Sequence, residues 1–250
     1  MRSLPAGPRA VALDAAVGSA ATAVVLAGLA RPGFPLLRDW VATPDPPLSD
    51  AALGLDESAA RAVPQDVAVA WASRALDAVG LPVWPLTGLL TAVFCVWLAV
   101  AAGALVRRVV PGASAVSRLP AVLGAVWNPL VVERLLQGHW SLLAGVAAAV
   151  TMPLLLARAR PRAAAAGAAL AAAGLTPTGW LLAVVSAAVA LACAGAGGGA
   201  APGRRGRSAL VVGAVAVATA LPWLLATALA GAPPPTGGTG GAAFAARAEP

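Results

Sequence analysis

Long uncharged apolar runs constrain the fold of this chain more than any other feature of its sequence. A helix that crosses the hydrocarbon core of a bilayer needs about 20 predominantly apolar residues. The run from Trp84 to Val106 reaches this length with no charged residue, and the run 10–30 contains only Asp14. Charged residues make up 11% of the sequence, whereas a soluble domain has about 25%. We therefore interpret the chain as an all-α, polytopic helical membrane protein.

Seven segments are candidates for transmembrane helices. They are 10–30, 84–106, 119–132, 139–157, the two halves of 163–195, and 208–230. The third is short and contains Pro120 and Pro129, so some spans are expected to be short or broken by proline. Segment 163–195 is too long for one crossing, and the Gly-Leu-Thr-Pro-Thr-Gly stretch at 174–179 predicts a tight hairpin of two helices in its place.

The distribution of arginines predicts the orientation of these seven segments. If the N-terminus lies inside, eleven of the 17 arginines and none of the acids outside the spans fall on the inner side. The outer side then receives six arginines and nine of the ten acids. Cytoplasmic loops are enriched in Lys and Arg, so we place the N-terminus in the cytoplasm and the C-terminus outside the cell membrane. The net charge of +7 then reflects topology, with the lipid bilayer rather than nucleic acid as the partner.

The first apolar run could also belong to a cleavable signal peptide, because Arg2 and Arg9 precede it. The run is longer than a typical signal-peptide core, and no clear Ala-x-Ala cleavage site precedes Arg31. We therefore favour a retained first helix.

Asp14 is the one acid inside a predicted span. It lies near the inner end, so we expect an interfacial carboxylate that reaches the headgroups or pairs with a nearby arginine, in preference to a proton relay. Three tryptophans, Trp84, Trp140 and Trp180, fall at predicted outer helix ends. We interpret these three as anchors at the membrane interface.

The outer loop 31–82 is the longest polar stretch of the predicted transmembrane domain. Pro64 begins a predicted amphipathic helix over 64–79, which we expect to lie flat on the outer membrane face. Most acids of the loop are predicted to be solvated, but Asp39 comes soon after the first span and is held near the membrane surface. Residues 1–230 form the predicted transmembrane domain. The Pro/Gly-rich segment 231–250 is an outer segment that we expect to lead into a further C-terminal part.

Polar residues that are otherwise rare cluster between Trp127 and Trp140. This segment holds the only Asn and the only His of the chain. Its candidate site residues are Asn128, Glu133, Arg134, Gln137 and His139. Glu133 and His139 are six residues apart and would not share a helix face, so no zinc-ligand spacing is present. A structural interpretation, in which Glu133 pairs with Arg134 or a loop arginine to tie helix ends together, stands beside a functional one.

Three stretches carry a resemblance to a known group. They are Arg-Asp-Trp-Val to Arg-Ala-Val-Pro-Gln-Asp at 38–66, Trp-Asn-Pro-Leu-Val-Val-Glu-Arg-Leu-Leu-Gln-Gly-His-Trp at 127–140, and Phe-Ala-Ala-Arg-Ala-Glu at 244–249. They resemble actinobacterial integral membrane proteins whose architecture is similar to that of GT-C glycosyltransferases. The resemblance implies a polyprenyl-phosphate-sugar donor, a cell-envelope acceptor and a catalytic acid in the first outer loop. Asp39 matches that acid, although Trp40 stands where a second acid often follows.

The resemblance also implies roles for the neighbouring residues. Asp39 would be the general base, and Arg38 or Arg134 would face the donor phosphate. Glu133 and His139 would position the acceptor or a divalent cation, which leaves the cofactor unknown. The remaining candidates for substrate binding are Asn128 and Gln137.

Two other functions remain open: a transporter or flippase, and a non-catalytic membrane subunit. A transporter would place ionisable groups and broken helices at the bilayer midplane. Here the ionisable groups fall at the predicted outer surface, which favours the enzyme.

The predicted orientation can be tested by cysteine labelling in intact cells. With Cys95 and Cys193 replaced by Ser, a single cysteine at Asp50 should react with an impermeant thiol reagent, because the positive-inside distribution places it outside. A cysteine at Arg160 should react only after the membrane is permeabilised. Labelling at Arg160 in intact cells, or none at Asp50, would contradict the orientation.

Overall fold

The computed structural model describes residues 7–53, 63–158, 161–196 and 202–229, and these are mostly helical. The helices are α1 (Pro8–Val25), α2 (Asp50–Leu53), α3 (Val63–Ala78), α4 (Leu86–Val109), α5 (Ala115–Val126), α6 (Pro129–Gln137), α7 (Leu142–Leu156), α8 (Ala163–Ala173), α9 (Pro177–Ala196) and α10 (Pro202–Leu229). An antiparallel hairpin of β1 (Leu36–Leu37) and β2 (Trp40–Val41) interrupts the first loop. The predicted helical class is confirmed. Predictions on Arg2, on the part 54–62 of the outer loop, on Arg160 and on 231–250 lie outside the described residues.

Five stretches of the described chain are long and apolar enough to cross a membrane. They are Pro8–Val25, Leu86–Val109, Ala115–Gln137, Pro177–Ala194 and Gly203–Ala228. The two other predicted spans, α7 with 15 residues and α8 with 11, are apolar but shorter than the usual length of about 20. The helices thus suit an integral membrane protein, while the count of seven spans and the orientation stay predictions.

Contacts between helix ends define two opposite ends of the bundle. At the first, which we call the arginine end, Asp14 near the start of α1 contacts Arg107 at the end of α4 and Arg118 in α5. At the second, the loop end, the Trp40 indole reaches Thr87 at the start of α4. Because α4 runs from the loop end to the arginine end, α1 and α5 run in the opposite direction. Such alternation is what successive membrane crossings require.

Helix α7 is the centre of the bundle although it is short. Its Leu143, Ala144 and Ala147 belong to a hydrophobic cluster shared with α4, α5 and α6. Its Met152 and Leu156 belong to a second cluster shared with α8, α9 and α10. Neighbouring helices therefore shield α7 from lipid.

Small residues allow α7 and α9 to approach each other closely. A Cβ atom built on Gly145 would lie 2.7 Å from the backbone carbon of Gly179, so α7 could not carry a larger residue at this crossing unless the helices moved apart. Ser186 on α9 also donates a hydrogen bond of 2.6 Å to the Ala149 carbonyl on α7. The break at 174–176 that precedes α9 is the predicted hairpin turn.

The Asp14 carboxylate is buried, with 3% of the residue exposed, so of the two expected environments, the headgroups and a nearby arginine, it has the second. The expected pairing with arginine is confirmed. Asp14 Oδ1 accepts hydrogen bonds from Arg118 Nε at 3.1 Å and Nη2 at 3.0 Å, and Arg107 Nη1 donates to Oδ2. A Cβ on Gly103 would lie 2.8 Å from the Asp14 Cγ, so this glycine leaves space for the carboxylate.

Replacing Asp14 with Asn should strongly destabilise the bundle. The amide keeps the side-chain volume but leaves the buried Arg118 and the half-buried Arg107 without a counter-charge, which typically costs about 3–5 kcal/mol. The measurement is the free energy of unfolding of the detergent-solubilised protein. Asp77→Asn, at an exposed acid of α3, is the matched control and should change little. Equal stability of the wild type and Asp14→Asn would show that these ion pairs do not hold the helices together.

Candidate functional site

Asp39 lies in the two-residue turn of the β1–β2 hairpin, between the paired residues Leu37 and Trp40. The other turn residue, Arg38, has a φ of +52°, in the left-handed region that non-glycine residues rarely adopt. Two-residue hairpin turns usually place Gly, Asn or Asp at such positions. Arg38 therefore adopts a strained conformation that the surrounding structure must maintain.

The β1–β2 hairpin turn packs directly against Gly138. Helix α6 ends at Gln137, and Gly138 follows it with a φ of +89°, the left-handed cap usual for glycine. The Asp39 amide donates a hydrogen bond of 3.2 Å to the Gln137 carbonyl. A Cβ on Gly138 would lie 2.7 Å from the Leu37 oxygen and 2.8 Å from the Asp39 carbonyl carbon. Only glycine lets the two turns meet, and their contact brings Asp39 beside His139.

A continuous chain of polar contacts starts at Asp39. Its Oδ2 lies 2.9 Å from His139 Nε2, and His139 Nδ1 lies 3.4 Å from Arg134 Nη1. Arg134 Nη2 donates to Glu133 Oε1 at 3.0 Å, and the Gln137 amide donates to the same oxygen at 3.1 Å. Five of the predicted site residues are therefore brought together, and the predicted pairing of Glu133 with Arg134 is confirmed.

Hydrogen-bond chemistry determines the direction of this chain. A guanidinium can only donate, so His139 Nδ1 is the acceptor in its contact with Arg134. A neutral His139 then carries its proton on Nε2 and donates it to Asp39. The Asp39 side chain is 72% exposed and that of His139 is 37% exposed, so both can be reached from solvent.

Asp39 also lines a cavity of about 470 Å³ at the loop end. Its walls combine aromatic rings with a small number of polar side chains, the usual composition of a small-molecule site. The lining residues are Phe34, Asp39, Trp40, Val41, Ala42, Thr43, Pro46, Pro47, Ser49, Gln65, Asp66, Val69, Ser73, Val83, Trp84, Leu86, Thr87 and Trp140.

Among the described residues, the charged groups that line the cavity are Asp39 and Asp66, with no arginine. Desolvation raises the pKa of Asp66 from its ordinary value, while a hydrogen bond from Gln65 opposes this shift. The buried Ser73 hydroxyl, another lining group, has no hydrogen-bond partner among the described residues. The cavity therefore suits an uncharged, hydroxyl-bearing ligand better than an anionic one.

The two remaining predicted residues lie apart from the polar chain. Asn128 caps α6: its Oδ1 accepts from the Val131 amide at 3.0 Å, and its Nδ2 donates to the carbonyls of Gly124 and Ala125. These hydrogen bonds use both polar atoms of the Asn128 side chain, and they join α5 to α6. Arg38 is exposed in the hairpin turn, next to Asp39 in sequence.

The sequence analysis missed Gln65, Asp66, Ser73 and Trp140 as cavity residues. Trp140 is wrongly predicted as an interface anchor: it is 2% exposed and stacks on Phe94 and Trp40, with ring centroids 6.3 and 6.1 Å away. Asp66 is predicted to be solvated, because its position in the first turn of a helix gives no sign of a cavity. A hydrogen bond from Ser141 Oγ, in the turn before α7, to Gln65 Oε1 in α3 joins two distant parts of the chain beside the cavity.

Among the described residues, no group of three or more His, Cys, Asp or Glu side chains is arranged to hold a metal ion. Comparison of the chain with protein-family models, curated proteins and solved structures finds no match. A functional assignment therefore depends on the geometry of the residues at the loop end.

Replacing Gly138 with Ala should separate Asp39 from His139. Gly112, with a φ of +82° and no atom within 4 Å of an added Cβ, offers a matched control. Gly112→Ala should cost about 1–2 kcal/mol from the backbone conformation alone. Gly138→Ala should cost about 1–3 kcal/mol more, because the new methyl group collides with the hairpin turn.

Cross-linking measures the separation directly. In a background without Cys95 and Cys193, cysteines at positions 39 and 139 should be joined efficiently by a short bifunctional thiol reagent. Gly138→Ala should sharply lower the yield of this product, and Gly112→Ala should not. Equal yields in both variants would mean that Gly138 does not control the docking.

Proposed function

We propose that this protein is an integral membrane glycosyltransferase of the GT-C type, which transfers a sugar from a polyprenyl-phosphate donor to a cell-envelope acceptor at the loop end. The observation that carries the proposal is the Asp39–His139 pair, 2.9 Å apart, where Asp39 lines a cavity of aromatic and uncharged polar groups. A carboxylate beside such a cavity is suited to act as a general base on a hydroxyl group.

In the proposed reaction, Asp39 accepts the proton of the acceptor hydroxyl. The acceptor oxygen forms a bond to the anomeric carbon of the donor sugar, and the bond from that carbon to the phosphate oxygen breaks. The products are the glycosylated acceptor, polyprenyl phosphate with one additional negative charge, and a protonated Asp39, which returns its proton to solvent. The exposure of the Asp39 side chain allows the hydroxyl to approach.

His139 is proposed as a positioning residue. Its Nε2–H holds one oxygen of the Asp39 carboxylate and leaves the other for the acceptor. Arg134 holds the opposite side of the imidazole ring and thereby sets its orientation.

The distribution of charge supports separate places for the sugar and the phosphate. No arginine lines the described part of the cavity, so the uncharged sugar is the part of the donor that suits it. Arg38 and Arg134 lie outside the cavity, where they could neutralise the negative charge that develops on the departing phosphate. Trp84, which is half-buried in the wall, offers an aromatic face for the sugar ring, while Ser73 and Asp66 offer polar partners for its hydroxyls.

Replacing Asp39 with Asn should lower turnover by about 10²–10⁴-fold, the usual contribution of a positioned general base. The assay is sugar transfer from polyprenyl-phosphate donors in membranes that contain the protein. Asp45→Asn, at an exposed acid of the same loop, is the matched control and should retain activity. The amount of folded protein is measured beside activity for each variant.

Two results would contradict the proposal. Equal transfer by the wild type and Asp39→Asn would remove Asp39 from the mechanism. Failure of every polyprenyl donor, together with a measurable solute flux in proteoliposomes, would identify a transporter instead.

A further inference from the structure

Three exposed arginines, Arg108, Arg158 and Arg162, lie together at the arginine end. Arg108 is in the last turn of α4, Arg158 follows the end of α7, and Arg162 precedes α8. Arg108 Nη2 donates a hydrogen bond to the Ala157 carbonyl, which holds its guanidinium beside Arg158. Desolvation, then repulsion from Arg162 and Arg108, lowers the pKa of Arg158 from its ordinary value. Three separate helix ends thus bring their positive charges close enough to repel one another.

None of these three arginines has an acidic partner among the described residues. The ion pairs of the described chain involve Asp14, Glu133 and Asp39, and each is used by other residues. Asp14, the acid at the arginine end, is occupied by Arg107 and Arg118. The mutual repulsion of Arg108, Arg158 and Arg162 would therefore be relieved by an anion from outside the chain.

The surroundings of the cluster favour a lipid as the source of that anion. Arg108 lies in the last turn of α4, directly after the apolar part of a helix that is long and apolar enough to cross a membrane. Its guanidinium therefore lies at the level of the headgroups. Basic residues at this level attract the phosphate groups of anionic lipids.

We propose that Arg108, Arg158 and Arg162 form a binding site for the phosphate group of an anionic lipid at the arginine end of the bundle. The site is separate from the cavity at the loop end and does not depend on the function proposed for that cavity. A bound lipid phosphate would join the ends of α4 and α7 to the start of α8.

Lipid binding to the full chain in nanodiscs tests the site. One set of discs contains phosphatidylcholine alone, and the other contains phosphatidylcholine mixed with phosphatidylglycerol. Phosphatidylglycerol should raise the thermal stability of the wild type, and native mass spectrometry should detect its retention. The double variant Arg158→Gln/Arg162→Gln should reduce phosphatidylglycerol affinity by about 30-fold, since each arginine near the surface contributes about fivefold.

Two further variants separate this site from general effects. Arg31→Gln/Arg74→Gln removes the same charge from exposed positions elsewhere and should leave lipid retention nearly unchanged. Arg158→Lys/Arg162→Lys keeps both charges and should bind nearly as well as the wild type. If the lysine variant loses binding as fully as the glutamine variant, the arginines act through folding, and the proposal fails.

Other outcomes would also overturn it. Equal phosphatidylglycerol affinity of the wild type and Arg158→Gln/Arg162→Gln would show that the cluster does not bind the headgroup. An equal loss in Arg31→Gln/Arg74→Gln would show that only net charge matters. Stabilisation by inorganic phosphate as large as that by phosphatidylglycerol would identify a site for a soluble anion and not for a lipid.

Discussion

The ion pairs of Asp14 with Arg107 and Arg118 are the interaction on which the arrangement of the first helices depends. Apolar side chains give helices little reason to associate in lipid, because the acyl chains are equally apolar. A buried carboxylate must meet its counter-charges, so α1 has one rotation and one height at which it can pack against α4 and α5. The small Gly103 opens the required space. This arrangement in turn sets where the chain emerges at the loop end.

The candidate site depends on that position through a contact between two turns. The hairpin after α1 meets the turn after α6 at Gly138, where backbone packs directly on backbone. Trp40 then enters the core beside Trp140, and its indole donates to Thr87 at 3.2 Å. Because these contacts fix the hairpin on both sides of its turn, Arg38 can keep its positive φ and Asp39 its place beside His139. The buried contacts of Trp40 thereby hold the exposed Asp39 carboxylate in place.

Sequence patterns predicted the helices well because length and hydropathy follow from the bilayer itself. The break at 174–176 and the amphipathic helix α3 were predictable from glycine, proline and helical spacing. The cavity was not, since its walls come from segments distant in the chain that no periodicity connects. The burial of Trp140 was missed for the same reason. In the sequence, a tryptophan at a helix end looks the same whether its side chain faces lipid headgroups or packs against the hairpin. The role of Gly138 was also not predictable, because it depends on the hairpin turn that packs against this glycine.

The imidazole of His139 also separates two charges that would otherwise neutralise each other. A carboxylate in a direct ion pair with arginine is a weaker base, because the pair stabilises its charged form. Here Asp39 contacts the Nε2 side of the ring and Arg134 the Nδ1 side, so the base and the cation do not meet. Glu133 pairs with Arg134 and further reduces its attraction for Asp39. Arg134 can therefore orient His139 without pairing directly with Asp39, whose second carboxylate oxygen stays available for the acceptor hydroxyl in the proposed transfer.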